Sequence, residues 1–291
     1  MVRKMSIKYK ISPHLYRLLR EIKLGKRNKN EQRLISKVEK YKNIHDGERC
    51  FIIGNGPSIK NVNLSYLSNE YTFTVNQLPR SDEFKYLKTT YHIWSDRTFF
   101  EISAESPEDI ELLNVMKKVN DGNNNPIVFY EITALPMIKK YNLEKDLNVE
   151  YFKSIGLDLN IMLKKRVDFT RAIPNMPTVV QSAILLAVYM GFKKIYLLGC
   201  DCTGIVNIVK NKVAQGNEMV YGYAISEGDR KRMEKMAKQR SIKDELMSQA
   251  AMFEIYELLY EYCCKNEVEL YNATQGGILD CIPRVGLEDI I

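Results

Sequence analysis

The residues that could do chemistry stand where short apolar runs end. They are Gly54-Asn55-Gly56-Pro57-Ser58, Asn76, Asp96, Gly199 to Asp201, and Asn272 to Gly277. Glycine admits positive φ and lets a ligand approach the backbone. Pro57 presets the start of a helix or turn, and amides in such a turn can meet a phosphate. The stretch is not a G-x-G-x-x-G fingerprint, because Ile59 takes the place of the third glycine, and it lacks the Gly-Lys-Ser/Thr ending of a P-loop. A tight strand-to-helix turn that holds nothing fits the same residues. Asp96 and Asp201 could hold a divalent cation or act as a base, and either could equally cap a helix.

The elements that must position these residues follow from the pattern. "RCFIIG", "TFTVN", "YHIWSD", "PIVFYE", "KKIYLLGCD" and "VELYNAT" are short apolar runs that read as strands. "TVVQSAILLAVYMG" and "SQAAMFEIYELLYEYCCKN" read as helices between them. Strands apolar throughout and separated by helices predict an α/β fold: a Rossmann-like, mostly parallel sheet covered by helices on both faces. In such a sheet, ligands bind beyond the carboxyl ends of the strands. That edge would gather Gly54-Asn55, Asn76, Asp96, Asp201 and Asn272.

The totals of 291 residues and 45% hydrophobic content allow one large domain with an appendage. The net charge of +7 is uneven. Residues 1–49 carry 15 Lys or Arg against 5 Asp or Glu, whereas residues 50–291 carry 28 against 31. We therefore divide the chain into a basic helical segment, 1–47, and a catalytic domain, 48–291. Ile11, Leu15, Leu18, Leu19 and Ile22 repeat at helical spacing, "KLGKRNKN" interrupts, and a second helix is expected through Arg33–Tyr41. The first helix either packs on the domain by its Leu and Ile side or lies on an anionic membrane surface through residues 1–45. No apolar segment is long enough to span a bilayer and no secretory signal is visible, so the expected location is cytoplasmic, peripheral at the inner membrane face under the second reading. Six cysteines without C-x-x-C or zinc spacing read as structural thiols. An acidic core domain without a recognition motif argues against nucleic acid.

"FIIGNGPSIKNVNLSYL", then "FTVNQL" and "IWSDRTFFE", resemble the N-terminal half of the bacterial sialyltransferases of glycosyltransferase family forty-two. "TVVQSAILLAVYMGFKKIYLLGCD" is similar to a helix-strand unit of the same enzymes. "YNATQGGILDCIPRV" resembles instead the related domain-of-unknown-function 115 group, with its flagellin glycosyltransferases and 6-hydroxymethylpterin diphosphokinases. The resemblance implies a nucleotide site, CMP in the sialyltransferases. It maps Asn55, Gly56, Pro57 and Ser58 onto the phosphate and sugar loop, Asn76 onto a second asparagine, and Thr178 onto a helix start. Gly199, Asn272 and Gly276 would complete the nucleotide's surroundings. The stretch after Asp201, about 203–245, matches a lid in which Tyr221 and Tyr223 would donate to the leaving phosphate.

Two departures bear on the reaction. The sialyltransferases carry a lid histidine as general base, but His14, His45 and His92 all lie outside this lid. The lid offers Glu227 and Asp229 instead. Asp96 stands where those enzymes place an asparagine. The reading that results is a glycosyltransferase with Asp96, Asp201, Tyr221 and Tyr223 as catalytic residues. Its donor would be a nucleotide-activated sugar, and its acceptor a glycan or lipid-linked glycan in surface polysaccharide synthesis. No cofactor is required for that reaction. The alternative is a diphosphokinase using ATP, with Mg²⁺ on Asp96 and Asp201. A third reading is a nucleotide-binding module without chemistry. The relatives also admit a homo-oligomer.

Overall fold

The runs read as strands do form strands: β1 Arg49–Ile53, β2 Tyr71–Val75, β3 Tyr91–Trp94, β4 Ile127–Glu131, β7 Lys194–Leu198 and β8 Glu269–Asn272. Two more complete the set, β5 Asn148–Ile155 and β6 Ala172–Pro174. This is seen in a computed structural model that describes residues 12–24, 28–103, 105–121, 125–214, 220–231 and 241–291. Ile11, residues 25–27 of the basic link, and the lid stretches 215–219 and 232–240 lie outside the described residues.

All the strands join one sheet in the order β6-β5-β4-β3-β2-β1-β7-β8, and every pairing is parallel. The chain runs outward from β1 to β6, then crosses back to place β7 on the other side of β1. The return path is the helix α6, Val179–Met190, whose residues from Val180 to Met190 are all buried. It lies between the sheet and the long helix α8, Ile242–Lys265. The shorter helices are α1 Pro13–Lys23, α2 Lys29–Ile35, α3 Pro107–Lys118, α4 Leu135–Lys140, α5 Leu159–Met162 and α7 Gly204–Ala214. A helix all but encircled by apolar neighbours has little room for a polar side chain. Its Gln181 is fully buried and fully used: it closes a capping box with Thr178 and donates to the Met252 carbonyl at 2.9 Å.

β5 carries Glu150, Lys153 and Ser154 within its run. The N-terminal segment supplies their partners. Lys153 pairs with Glu31 at 2.6 Å, and Glu150 pairs with Lys40 at 2.5 Å and accepts from Tyr41 at 3.3 Å. Ile35, Val38 and Tyr41 are buried in the core clusters. The second N-terminal helix ends earlier than its sequence suggests: α2 stops at Ile35, and Ser36–Tyr41 continue as a 3₁₀ helix.

The first helix does not pack by its Leu and Ile side. Leu15, Leu18, Leu19 and Ile22 are exposed, and Pro13, Tyr16 and Arg17 are buried instead. Specific polar contacts fix that orientation. The Tyr16 hydroxyl accepts from the Asp158 amide at 3.2 Å, and the Arg20 guanidinium donates to the Gly156 carbonyl at 3.0 Å.

Candidate active site

Strand order reverses between β1 and β7, and the turns that leave these two strands are interlocked. The Gly54 amide donates to the Leu198 carbonyl at 2.7 Å, and the Gly56 amide donates to the Gly199 carbonyl at 2.8 Å. Asp201 is buried, and both of its oxygens accept from Ser58: from the amide at 3.2 Å and from the hydroxyl at 2.7 Å. A Cβ on Gly56 would overlap the Asp201 carboxylate and lie 2.6 Å from the Gly199 carbonyl oxygen. Only glycine permits this approach. The sequence suggested turn amides that meet a phosphate. Three of those amides are engaged within the protein: those of Gly54 and Gly56 by the Leu198 and Gly199 carbonyls, and that of Ser58 by Asp201. Pro57 opens the 3₁₀ turn Pro57–Asn61 that Asp201 holds.

What the turn leaves open is side-chain chemistry. The Asn55 and Asn76 Oδ1 atoms are buried and without a hydrogen-bond partner. Both residues follow the carboxyl ends of adjacent parallel strands, where Ile53 pairs with Thr74. Asn76 adopts a left-handed φ of 44°, which asparagine tolerates, and its amide donates to the Ile93 carbonyl at 3.0 Å. Asp96 stands beyond β3 on the same edge and is exposed. Its Oδ1 accepts from the Thr98 amide and hydroxyl at 3.0 and 2.7 Å.

The stretch 220–231 covers the Gly-Asn-Gly turn. The Gly222 amide donates to the Asn55 carbonyl at 2.8 Å. Tyr221 and Tyr223 stack with ring centroids 5.3 Å apart. Burial raises the Tyr221 pKa, with Asp229 and then Asp96 adding to it, so its phenol stays protonated and able to donate. The cover is latched by residues that the sequence did not single out for the site. Gln77 Nε2 donates to Asp229 Oδ1 at 3.1 Å, Arg80 Nε donates to Gln77 Oε1 at 2.6 Å, and Arg80 Nη2 lies 3.8 Å from Asp229 Oδ2. Ser226 donates to the same carboxylate at 3.0 Å, and Lys231 pairs with Glu108 at 2.7 Å. Buried Asp229 therefore holds this cover in place. Glu227 is exposed.

The remaining expected residues divide. Thr178 caps α6 and its hydroxyl lies 3.4 Å from the Tyr256 hydroxyl. Since α6 leads into β7, its N-terminus opens on the carboxyl edge of the sheet. Gly199 has φ 62° at the crossing of the two turns. Asn272 is buried within its own turn, donating to the Leu279 carbonyl at 2.9 Å and accepting from the Thr274 amide at 3.0 Å. Arg284 clamps that turn by donating to the carbonyls of Thr274, Gly276, Gly277 and Leu279. Gly276 itself is exposed. His92 lies within β3 with Nδ1 2.7 Å from the Thr74 hydroxyl, and burial lowers its pKa to about 3. It is a neutral core residue. Among the described residues, no group of three or more His, Cys, Asp or Glu side chains is arranged to hold a metal ion, and no helix is long and apolar enough to cross a membrane.

No family model matches this chain, and no curated protein matches it. Among solved structures it is similar to the sialyltransferase CstII from Campylobacter jejuni in complex with a substrate analogue, cytidine-5'-monophosphate. The identity is 17% and the TM-score 0.43, over 82% of this chain and 85% of that one. The site geometry described above stands independently of that likeness.

Proposed function

We propose that the chain is a glycosyltransferase that takes a sugar from a nucleotide-activated donor, CMP-linked, and passes it to a hydroxyl of a glycan or lipid-linked glycan. The observation that carries the reading is the pair of unpartnered, buried carboxamide oxygens of Asn55 and Asn76 at the point where strand order reverses. A buried acceptor without a partner is costly unless a ligand supplies a donor. A nucleoside offers such donors in its ribose hydroxyls and, for cytosine, its exocyclic amino group.

In this reading, the acceptor oxygen attacks the anomeric carbon, and the bond from that carbon to the phosphate oxygen breaks. Its electron pair leaves with the nucleotide. The Tyr221 phenol, kept protonated by its surroundings, donates to the departing phosphate. Asp96 is the exposed carboxylate on the same edge and takes the acceptor proton. Asp201 positions the turn through Ser58 rather than touching substrate. The diphosphokinase alternative asks Asp96 and Asp201 to share a Mg²⁺, but each carboxylate already caps a local turn.

The test is calorimetric titration of CMP, with UDP, GDP and ATP beside it, each with Mg²⁺ and with EDTA. CMP binding that survives EDTA, and that weakens at least about tenfold in both Asn55→Ala and Asn76→Gly, is the expected result. Glycine at position 76 keeps the left-handed backbone and removes only the carboxamide. Wild-type affinity in both variants would sink the site, and binding of ATP only with Mg²⁺ would turn the assignment to phosphoryl chemistry.

A further inference from the structure

The first helix is amphipathic in the unexpected sense. Its inward stripe, Pro13, Tyr16, Arg17 and Arg20, carries two guanidinium groups, and its outward stripe, Leu15, Leu18, Leu19 and Ile22, is wholly aliphatic. The two stripes have the same spacing and lie about 200° apart on the helix. Exposure of the aliphatic stripe runs from 38% at Leu18 to 56% at Ile22. Four large aliphatic side chains side by side in water form a patch, not scattered surface residues.

Charge identifies what covers it. Residues 1–29 hold ten Lys or Arg and a single acid, Glu21. Within the described residues, Lys23 is exposed beside the stripe, and Lys29, at the start of α2, is exposed as well. A second copy of this chain would bring the same dense positive charge against itself and so is disfavoured. We propose that α1 docks the protein on an anionic lipid surface, its Leu and Ile stripe entering the headgroup boundary and its flanking cations meeting the lipid phosphates. α1 rests on Gly156 and Asp158, which follow the carboxyl end of β5. In a parallel sheet that is the edge on which Asn55, Asn76 and Asp96 stand, so docking turns the candidate site towards the lipid. The proposal is independent of the sugar-transfer reading, since neither requires the other.

Removing residues 1–45 is not a usable test, because Ile35 and Val38 belong to the core. The full chain is instead sedimented with vesicles of phosphatidylcholine alone and with vesicles in which about a third of the lipid is phosphatidylglycerol. Wild-type protein is expected to partition onto the anionic vesicles and to be released by salt. Leu19→Ser/Ile22→Ser should partition at least about tenfold less while keeping the wild-type circular dichroism and melting temperature, since both side chains face solvent. Equal partitioning of variant and wild type would overturn the proposal. So would a wild-type dimer, seen by sedimentation velocity without lipid, that the same substitutions dissolve.

Discussion

Gly222→Ala probes whether the 220–231 cover and the Gly-Asn-Gly turn act as one unit. A Cβ at position 222 overlaps Ile59 Cγ2 and lies 2.9 Å from the Gly56 carbonyl oxygen. Ile59 is fully buried, and the Gly56 carbonyl belongs to a turn pinned by β7, so neither neighbour can yield. The cover has to move. Overpacking of this kind costs about 1–3 kcal/mol, and loss of the bond from Gly222 to the Asn55 carbonyl adds about 1 kcal/mol. Together these destabilise the closed arrangement by roughly 2–4 kcal/mol, a factor of about 30 to 1,000 in its population. Hydrogen exchange read by mass spectrometry should show faster exchange across 220–231 and unchanged protection in β1, β2 and β7. Nucleotide affinity should fall with closure, by no more than that factor. If exchange across 220–231 and CMP affinity both match the wild type, the cover is not held where the structure places it. A loss of protection throughout the sheet would instead mean that the substitution unfolds the chain, and the coupling argument would fail.

Two further outcomes follow from the protonation states. Tyr221→Phe removes one donor to the departing phosphate, so kcat should fall about 10²–10³-fold while KM changes little; an unchanged kcat would take Tyr221 out of the chemistry. Burial holds His92 neutral down to a pKa of about 3 against an ordinary 6.5. Between those values the unfolded chain binds a proton that the folded chain refuses, so stability declines as pH falls, by up to ~1.4 kcal/mol per pH unit. His92→Gln should flatten the melting temperature between about pH 6.5 and 4; identical slopes would mean the imidazole is not buried neutral.

The sheet was legible wherever a strand is apolar on both faces. β1, β3, β4 and β7 come near to such runs, as does α6 among the helices, whereas β2 carries Thr72 and Thr74 on one face and β8 is bounded by Glu269 and Asn272. β5 was not legible, because Glu150, Lys153 and Ser154 interrupt it, and their neutralising partners Lys40 and Glu31 lie more than a hundred residues away. β6 is three residues long and offers no period to read. The gathering of asparagine, aspartate and glycine at the carboxyl ends of the strands was legible as well. How those groups are used was not. The carbonyls that engage the Gly54 and Gly56 amides belong to Leu198, the last residue of β7, and to Gly199 just after it, and nothing local announces them. For α1 the period was visible, but period alone does not say which stripe faces in. Tyr16 and Arg20 decide it through contacts to the loop after β5.

The division of hydrogen-bonding groups at the site separates binding from chemistry. A phosphate-binding loop of the usual kind presents backbone amides before any ligand arrives. Here those of Gly54, Gly56 and Ser58 are occupied, which reduces what the turn offers an anion. The open groups at its mouth are asparagine oxygens, which accept and therefore suit the hydroxyl and amino donors of a nucleoside. The hydroxyl donor suited to a phosphate, that of Tyr221, stands on the cover. It follows that a nucleoside can be held by the sheet edge alone, whereas stabilisation of a leaving phosphate requires the cover to be latched through Gln77, Arg80 and Asp229. Substitutions at Asn55 and Asn76 should then act on affinity. Loosening the latch with Asp229→Asn, which removes no substrate-facing group, should lower kcat and CMP affinity together while leaving the affinity for cytidine alone unchanged.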